Sequence, residues 1–348
     1  MEIKVTVGVI TYNRPEFLKQ AVDSVLCQSY KNFELIISND YLEIPVTQEA
    51  LGIENEPRLK IINQVSNLGE TKNMNYLLEI AQGEWFVWLA DDDLLHPEFL
   101  MIASKAILEG QDKSLVGFFS NFRAASSPDG IFPQPIESIE SIEYNYIDAP
   151  IFINDYTSRK KSLVGCYGIM HVAALRKIGG MPRLGNSFGP YSDTIVPILL
   201  VEQGSLCWTD EPLVFLRTHA DSLSCKSAYF LAYTSAEEDF LKILSRVCSS
   251  NLVNINPDKL IANMIRWFSY NQWEVLHREP LLSKYAVAQR FFMHQLNINL
   301  PKLSLKYKII HIIFLFRFMG IRFSYGVYKK HRSIFKSILL PGSESGQK

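Results

Sequence analysis

The sequence predicts an α/β protein with a mostly parallel central sheet, followed by a helical C-terminal region. Three observations carry that prediction. Strand-like and helix-like patterns alternate over residues 1–120, the succession that builds a parallel sheet covered by helices on both faces. The strands read as near-continuous apolar runs such as Trp85 to Ala90 (WFVWLA), as expected of strands buried on both sides. After about Ser224 the apolar spacing becomes helical and stays so.

Ile3 to Ile10 reads as the first strand, and Pro15 to Leu26 as a helix with proline in its first turn, where the missing N–H costs nothing. Phe33 to Ser38 (FELIIS) is a second strand and Arg58 to Ile62 a short third. Gly69 to Ala81 is helical, with Met74, Leu77, Leu78 and Ala81 on one face, and leads into the strand Trp85 to Ala90. Residues 126–154 lose this pattern and predict an excursion with little regular structure. Strand and helix patterns resume in LVGCYGIM, HVAALRKI, SDTIVPILLVEQ and PLVFLRTH; then Tyr229 to Ser245, Pro257 to Glu274 and Leu281 to Leu296 read as helices. Ligands of such sheets bind at the carboxyl ends of the strands. That rule gathers Thr11, Tyr12, Asp40 and Asp91 to Asp93 on one rim.

Composition narrows the class further. With 348 residues and 47% hydrophobic content, the chain can bury one sizeable core and a smaller second unit. The net charge of -1 hides an asymmetry: residues 280–343 hold eleven Lys and Arg and no Asp or Glu. An acidic body with a basic end implies contact with something anionic. Cys27, Cys166, Cys207, Cys225 and Cys248 are odd in number and form no C-x-x-C pair, which argues against a disulfide framework or zinc site and for a reducing cytosol. The opening MEIKVTVGVITYN is strand-like and lacks a secretory pattern. The apolar run Ile309 to Phe316 contains His311 and stops at Arg317, short of the ~18 residues of a membrane span.

Several chemistries lack their motifs. There is no G-x-G-x-x-G after the first strand and no G-x-x-x-x-G-K-[ST], G-x-S-x-G or H-E-x-x-H. What remains is Asp91, Asp92 and Asp93 directly behind a buried strand. Two like charges 5 Å apart repel by roughly 3 kcal/mol at an effective dielectric near 20, so the trio needs a cation or a raised pKa. Mg²⁺ or Mn²⁺ would supply it, sharing carboxylate oxygens with phosphate and water. The same residues also suit the cap of a helix beginning near Pro97.

The segments VGVITYNRPEFLKQAVDSVLCQSYKNFELIISND and NLGETKNMNYLLEIAQGEWFVWLADDD together resemble the nucleotide-sugar domain of family 2 glycosyltransferases with a Rossmann-like GT-A fold. The ordered set T-Y-N-R-P, Q-S-Y-x-N-F-E, N-L-G, A-x-G-E-W and D-D-D carries the resemblance, which spans about 220 residues. It implies that Thr11, Tyr12, Asn13, Arg14 and Asp40 bind the nucleotide, with Tyr12 offering a stacking face to the base. Lys72 lies where a cation could meet the diphosphate, although the family's usual Arg before the helix Asn is here Met74. The first acid of the family's frequent D-x-D-D is replaced by Ala90. Asp92 is therefore implied as the metal ligand, with Asp91 and Asp93 free to reach ribose, water or the ion.

Farther on, NSFGPYSDTIVPILLVEQGSL resembles the region of the family's catalytic base, implying Asp193; alone, that residue reads equally as a helix cap. PLVFLRTHADSLS resembles the closing R-x-H-x-x-S-x-S element, implying Arg217 on pyrophosphate and His219 on metal or phosphate. The resemblance also implies a single displacement with inversion at the anomeric carbon, served by one base and no competing proton donor. The expected cofactor is Mn²⁺ or Mg²⁺, and the expected partners are a nucleotide-sugar donor, by default a UDP-sugar, and a glycan or lipid-linked acceptor. A nucleotidyltransferase and a catalytically silent sugar-nucleotide or polysaccharide-binding module are the competing readings.

Domain boundaries are expected at 1–225 for the GT-A domain, 226–300 for a helical extension and 301–348 for a basic amphipathic segment. In that last segment Lys302, Lys306, Lys308, Arg317, Arg322, Lys329, Lys330, Arg332 and Lys336 interleave with Ile, Leu, Phe and Tyr, the composition of an interfacial helix. An anionic membrane surface rather than nucleic acid is the expected partner, with a cytoplasmic enzyme lying peripherally on the inner face of the membrane.

Overall fold

β1 (Val5–Thr11) organises the sheet, pairing in parallel with β2 (Phe33–Asn39) on one side and β4 (Trp85–Ala90) on the other. The computed structural model describes residues 2–125, 136, 138–161, 163–185, 189–219, 230–251, 253–277, 291 and 294–318. Beyond β2 lies β3 (Leu59–Asn63), again parallel. On the other side β8 (Ile169–His171) is antiparallel between β4 and β6 (Leu115–Ala125), and β6 pairs in parallel with β9 (Ser205–Arg217). Short β5 (Leu94–Leu95) and β7 (Asn145–Ile147) add antiparallel to β9. The described strands form one sheet of order β3-β2-β1-β4-β8-β6-β9-β5, with β7 attached to β9.

Helices cover this sheet because each presents an apolar stripe. α1 (Pro15–Leu26) buries Leu18, Ala21, Val22 and Val25, the i, i+3, i+4, i+7 spacing of one helix face. α2 (Glu70–Ile80) buries Asn73, Met74, Leu77 and Leu78; Asn73 exchanges hydrogen bonds with Ser38, which ties the helix to β2. α3 (Phe99–Glu109) buries most of its length under β6 and β9. The core is aromatic: Trp88, Trp208, Phe86, Phe99, Phe118 and Phe119 are all buried.

The structure departs from the sequence-based expectations in two places. The helix expected near Pro97 starts at Phe99, no side chain caps it, and Leu94–Leu95 before it is a strand. Pairing with β9 satisfies the backbone there, so the three aspartates end a strand and do not cap a helix. The expected irregular excursion holds β7 and α4 (Ala149–Thr157), whose first turn carries Pro150; residues 126–135 of it lie outside the described set. α5 (Val172–Lys177), α6 (Ser192–Leu200) and α7 (Phe230–Cys248) complete the first compact unit, residues 1–256, with α7 packed on α6.

The second unit, residues 257–348, contains α8 (Pro257–His277) and α9 (Leu305–Phe318). Its described interior holds a polar hub in which Gln295 Oε1 accepts from Ser269 Oγ at 3.1 Å and Asn299 Nδ2 at 3.0 Å. His311, also against Gln295, is held to about 4 by burial and so packs as a neutral ring. Of the predicted helix Leu281 to Leu296, residues 281–290 and 292–293 lie outside the described residues, and the basic segment is described only to residue 318. No described helix is long and apolar enough to cross a membrane.

Candidate functional site

At the carboxyl end of β1 the chain turns through Tyr12, Asn13 and Arg14 into α1, with Asn13 in the left-handed region at φ 55. That turn is held by Asp91, just past the parallel neighbour β4. Asp91 Oδ2 accepts from the Thr11 hydroxyl at 2.7 Å and the Tyr12 N–H at 3.3 Å, while Arg14 donates to Oδ1 at 3.0 Å. Burial pushes the Asp91 carboxyl up, and the Thr11 and Arg14 contacts oppose that shift.

Asp92 carries two partners on one oxygen, the Arg14 guanidinium through Nη1 at 2.9 Å and the His219 imidazole through Nε2 at 2.9 Å. Asp93 accepts from the Tyr167 hydroxyl and from the Arg217 N–H, the latter at 2.8 Å. Burial first, and the Asp92 charge second, raise Asp93 to about 7. Asp91 and Asp93, expected to reach ribose, water or the ion, also hold protein partners. Each is buried, and a buried carboxylate must be compensated, so each is spent on holding a neighbouring strand end. The β5–β9 pairing explains why residues 217–219 lie beside the aspartates: Leu94 pairs with Phe215, which leaves Arg217 two residues farther along the same edge.

Arg217 is the most informative side chain of the cluster. Its guanidinium lies over the Phe17 ring at 5.2 Å, and buried Nη1 has no hydrogen-bond partner among the described residues. Desolvation lowers its pKa from the usual arginine value while Asp93 and Asp92 oppose the shift. A buried, unsatisfied guanidinium donor is costly unless an anion completes it. Phe17 also packs against His219, with ring centroids 4.7 Å apart.

The base end of the rim is shaped by Tyr12 and Tyr41. Tyr12 is 54% exposed, and its ring meets Tyr41 edge-on at 5.2 Å. Asp40 accepts backbone N–H bonds from Leu68 at 2.7 Å and Gly69 at 2.8 Å, so it pins the N-L-G turn ahead of α2. Gly69 takes φ 76 there, a conformation in which a side chain would be strained. Lys72 is exposed on α2 and makes no hydrogen bond or ion pair among the described residues.

Asp193 stands in the first turn of α6, where a carboxylate suits the helix dipole, but no side chain caps that helix. Its carboxylate meets the Thr194 hydroxyl at 3.3 Å, and burial raises its pKa. The loop beneath it requires glycine: a Cβ on Gly165 would meet the Asp193 carbonyl oxygen at 1.8 Å. Glu70, at the start of α2, feels Asp193 and then Asp92, and desolvation with those charges raises it to about 7.

The donor set suits a divalent ion shared with a diphosphate rather than a closed cage. Asp92 offers a hard oxygen and His219 a borderline nitrogen, 2.9 Å apart. Among the described residues no group of three or more His, Cys, Asp or Glu is arranged to hold a metal. Mg²⁺ and Mn²⁺ sites of this kind are completed by phosphate and water. Thr11, Tyr12, Arg14, Asp91, Asp92, Asp93, Arg217 and His219 therefore come together; Asp40 joins them through its backbone N–H, which donates to the Thr11 carbonyl at 3.0 Å, and Lys72 shares no hydrogen bond or ion pair with them. Sequence reasoning missed Phe17, Glu70, Gly165 and Tyr167, which become visible only when the elements pack. Residues 220–229, the rest of the closing element, lie outside the described set.

Residues 6–177 match the model of "Glycosyl transferase family 2". Glycosyltransferase GlyA of Streptococcus pneumoniae is 29% identical over 181 residues, covering 49% of this chain and 25% of that protein. An uncharacterised glycosyltransferase of Rickettsia bellii is 31% identical over 93 residues, 27% of this chain and 13% of its own length. The putative colanic acid biosynthesis glycosyl transferase WcaA of Escherichia coli is 31% identical over 99 residues, 28% of this chain and 36% of its own length. The chain thus matches well under half of the length of each of these relatives. Among solved structures, S. aureus TarS 1–349 in complex with UDP superposes with a TM-score of 0.61 at 14% identity, covering 88% of this chain and 82% of that one. The UDP-GlcNAc complex of TarS 1–349 gives 0.56 at 16%, covering 88% and 83%. At such identity the likeness is one of fold.

Proposed function

Residues 6–177 belong to glycosyl transferase family 2, and from that premise we propose that this glycosyltransferase is a metal-dependent, inverting enzyme that moves a sugar from a nucleotide-diphosphate donor to an acceptor hydroxyl. The observation that carries the reading is Arg217, whose buried Nη1 has no hydrogen-bond partner among the described residues, close to where Arg14 and His219 meet Asp92. Two guanidinium groups and an imidazole are gathered there, and a diphosphate is the anion that would complete them.

In this reading Tyr12 and Tyr41 bracket the base, Asp40 holds the turn beneath it, and Thr11, Asn13 and Asp91 fix the β1–α1 turn against the nucleotide. Asp92 and His219 would hold Mn²⁺ or Mg²⁺, which when bound neutralises the diphosphate and acts as Lewis acid for its departure. Asp193 takes the proton of the acceptor hydroxyl as its oxygen attacks the anomeric carbon. The bond from that carbon to the diphosphate oxygen breaks from the opposite face, and its electron pair leaves with the nucleoside diphosphate. Arg217 and Arg14 stabilise the charge that develops on the leaving group. The raised pKa of Asp193 makes it a stronger base than an exposed aspartate.

A UDP-sugar is the proposed donor, a glycan or lipid-linked molecule the acceptor, and cell-surface polysaccharide or glycolipid synthesis the setting; the name of WcaA supports that setting. A cytoplasmic position, peripheral on an anionic membrane, is part of the same proposal. On described α9, Leu305, Ile309 and Ile310 are exposed beside Lys302 and Lys306, a face suited to a lipid interface. A nucleotidyltransferase is less well supported, because the β1–α1 turn offers Arg14 alone, already engaged by Asp91 and Asp92.

The test is a panel of nucleotide sugars, starting with UDP-GlcNAc, scored for slow donor hydrolysis with and without Mn²⁺. Turnover should need the ion and fall by about 10²-fold or more in Asp92→Asn. Asp193→Asn should abolish turnover while donor binding persists, which a silent binding module would not show. Metal-independent turnover, or full activity in Asp92→Asn, would sink the mechanism.

A further inference from the structure

We propose, on the glycosyltransferase reading of this site, that Phe17 is a positioning residue for the donor diphosphate: its ring holds the Arg217 guanidinium in place without using any of its N–H donors.

Phe17 does not belong to the apolar stripe of α1. Leu18, Ala21, Val22 and Val25 form that stripe and are buried, whereas Phe17, one residue earlier, is only half-buried. Its ring meets the end of β9 instead. Arg217 Cζ lies 5.2 Å from the ring centroid, and the His219 ring stands 4.7 Å away at an interplanar angle of 45°.

The fold fixes this meeting from both ends. Ser24, seven residues after Phe17 and so on the same face of α1, accepts a hydrogen bond from the Leu95 N–H at 3.3 Å. Leu95 pairs with Val214 of β9 and Leu94 with Phe215, so α1 is tied to β9 through β5. Arg217 lies two residues beyond Phe215, where the Asp93 carboxylate holds its N–H at 2.8 Å. Just before α1, Arg14 binds the same Asp92 oxygen as His219, each at 2.9 Å. Arg14 and Phe17 stand three residues apart, about one turn of helix. The start of α1 therefore braces the end of β9 at two points, Arg14 through Asp92 and Phe17 directly.

The kind of contact decides what is left for a ligand. A carboxylate would also hold an arginine, but it would occupy the guanidinium donors and offset the charge. The face of a phenyl ring attracts the cation through its quadrupole and takes no N–H. Asp93 accordingly accepts the backbone N–H of Arg217 and not its guanidinium, and buried Nη1 has no hydrogen-bond partner among the described residues. An arginine restrained in this way loses less freedom when an oxyanion binds, so more of the contact energy appears as affinity. Phe17 itself touches no reacting atom in this scheme and acts through Arg217.

The test measures equilibrium binding of a panel of nucleoside diphosphates, starting with UDP and GDP, to the full chain with Mn²⁺, and follows whichever base binds. Phe17→Leu, which keeps an apolar side chain without the ring, should weaken the nucleoside diphosphate roughly 3- to 30-fold, the span of cation–π contacts from exposed to desolvated sites. Phe17→Tyr, which keeps the ring, should bind like the native chain. A double-mutant cycle supplies the readout that packing alone would not move: in an Arg217→Gln chain, Phe17→Leu should lose most of its effect. Phe17→Met repeats the cycle if Phe17→Leu does not fold. Unchanged affinity in Phe17→Leu, or an undiminished loss in the Arg217→Gln chain, overturns this proposal alone. Failure of every nucleoside diphosphate to bind the native chain overturns the glycosyltransferase reading and this proposal with it.

Discussion

Asp93 shows how one residue's role depends on its neighbours. In the sequence it is the third of three equivalent acids; in the fold it receives the Tyr167 hydroxyl and the Arg217 N–H. It therefore joins the end of β4 to the loop before β8 and to the end of β9. We expect Tyr167→Phe to leave one buried oxygen of Asp93 short of a donor, at a cost of about 1–3 kcal/mol. Urea unfolding would measure that loss, and kcat should drop with it as Arg217 and His219 lose their brace. Unchanged unfolding would mean that Asp93 is compensated in another way. Asp92 differs because its partners are the Arg14 guanidinium and the His219 imidazole, which in the proposed function would turn to a diphosphate and a metal. Position in the motif alone could not separate the two roles.

At the scale of the element, β9 and α6 decide the site. The β6–β9 pair is parallel and has register shifts around Asn121, after which β9 continues to Arg217 and also takes β5 on its other edge. Such irregularities bend a strand and re-aim the side chains beyond the bend. α6 is short and apolar, and its first turn is pressed against Gly165. Gly165→Ala would force backbone to move, because the added carbon meets a carbonyl oxygen and no flexible side chain. We expect a stability loss of about 1–3 kcal/mol and a fall in kcat of up to ~10²-fold from displacement of Asp193. Nucleotide affinity, set on the far side of the cleft, should barely change. Equal losses in affinity and kcat would show that the loop supports the whole site rather than the base.

At the scale of the molecule, the chain forms two compact units, and its basic, acid-free stretch lies in the second. Each Lys or Arg near an anionic surface contributes about 1 kcal/mol, and salt screens the effect within a Debye length. The full chain should therefore sediment with phosphatidylserine-containing vesicles at low salt and be released as salt rises. Replacing Lys302 and Lys306 by Glu should weaken that binding without changing donor hydrolysis in solution; indifference to lipid charge would remove the membrane from the proposal. The sequence by itself determined the order and nearly the bounds of β1, α1, β2, β3, α2 and β4, because their periodicity and turn residues are local signals. It also determined the rim: strand ends in a parallel sheet share one edge, which brings Thr11, Asp40 and Asp91 to Asp93 to the same side. Only the tertiary structure decided that Asp91 and Asp93 hold neighbouring strand ends, that β5 is a strand, that Phe17 packs against Arg217 and His219, and that Gly165 lies against Asp193. Those facts depend on strand pairing and on contacts between residues far apart in the chain, and no local pattern of apolar and polar residues encodes them.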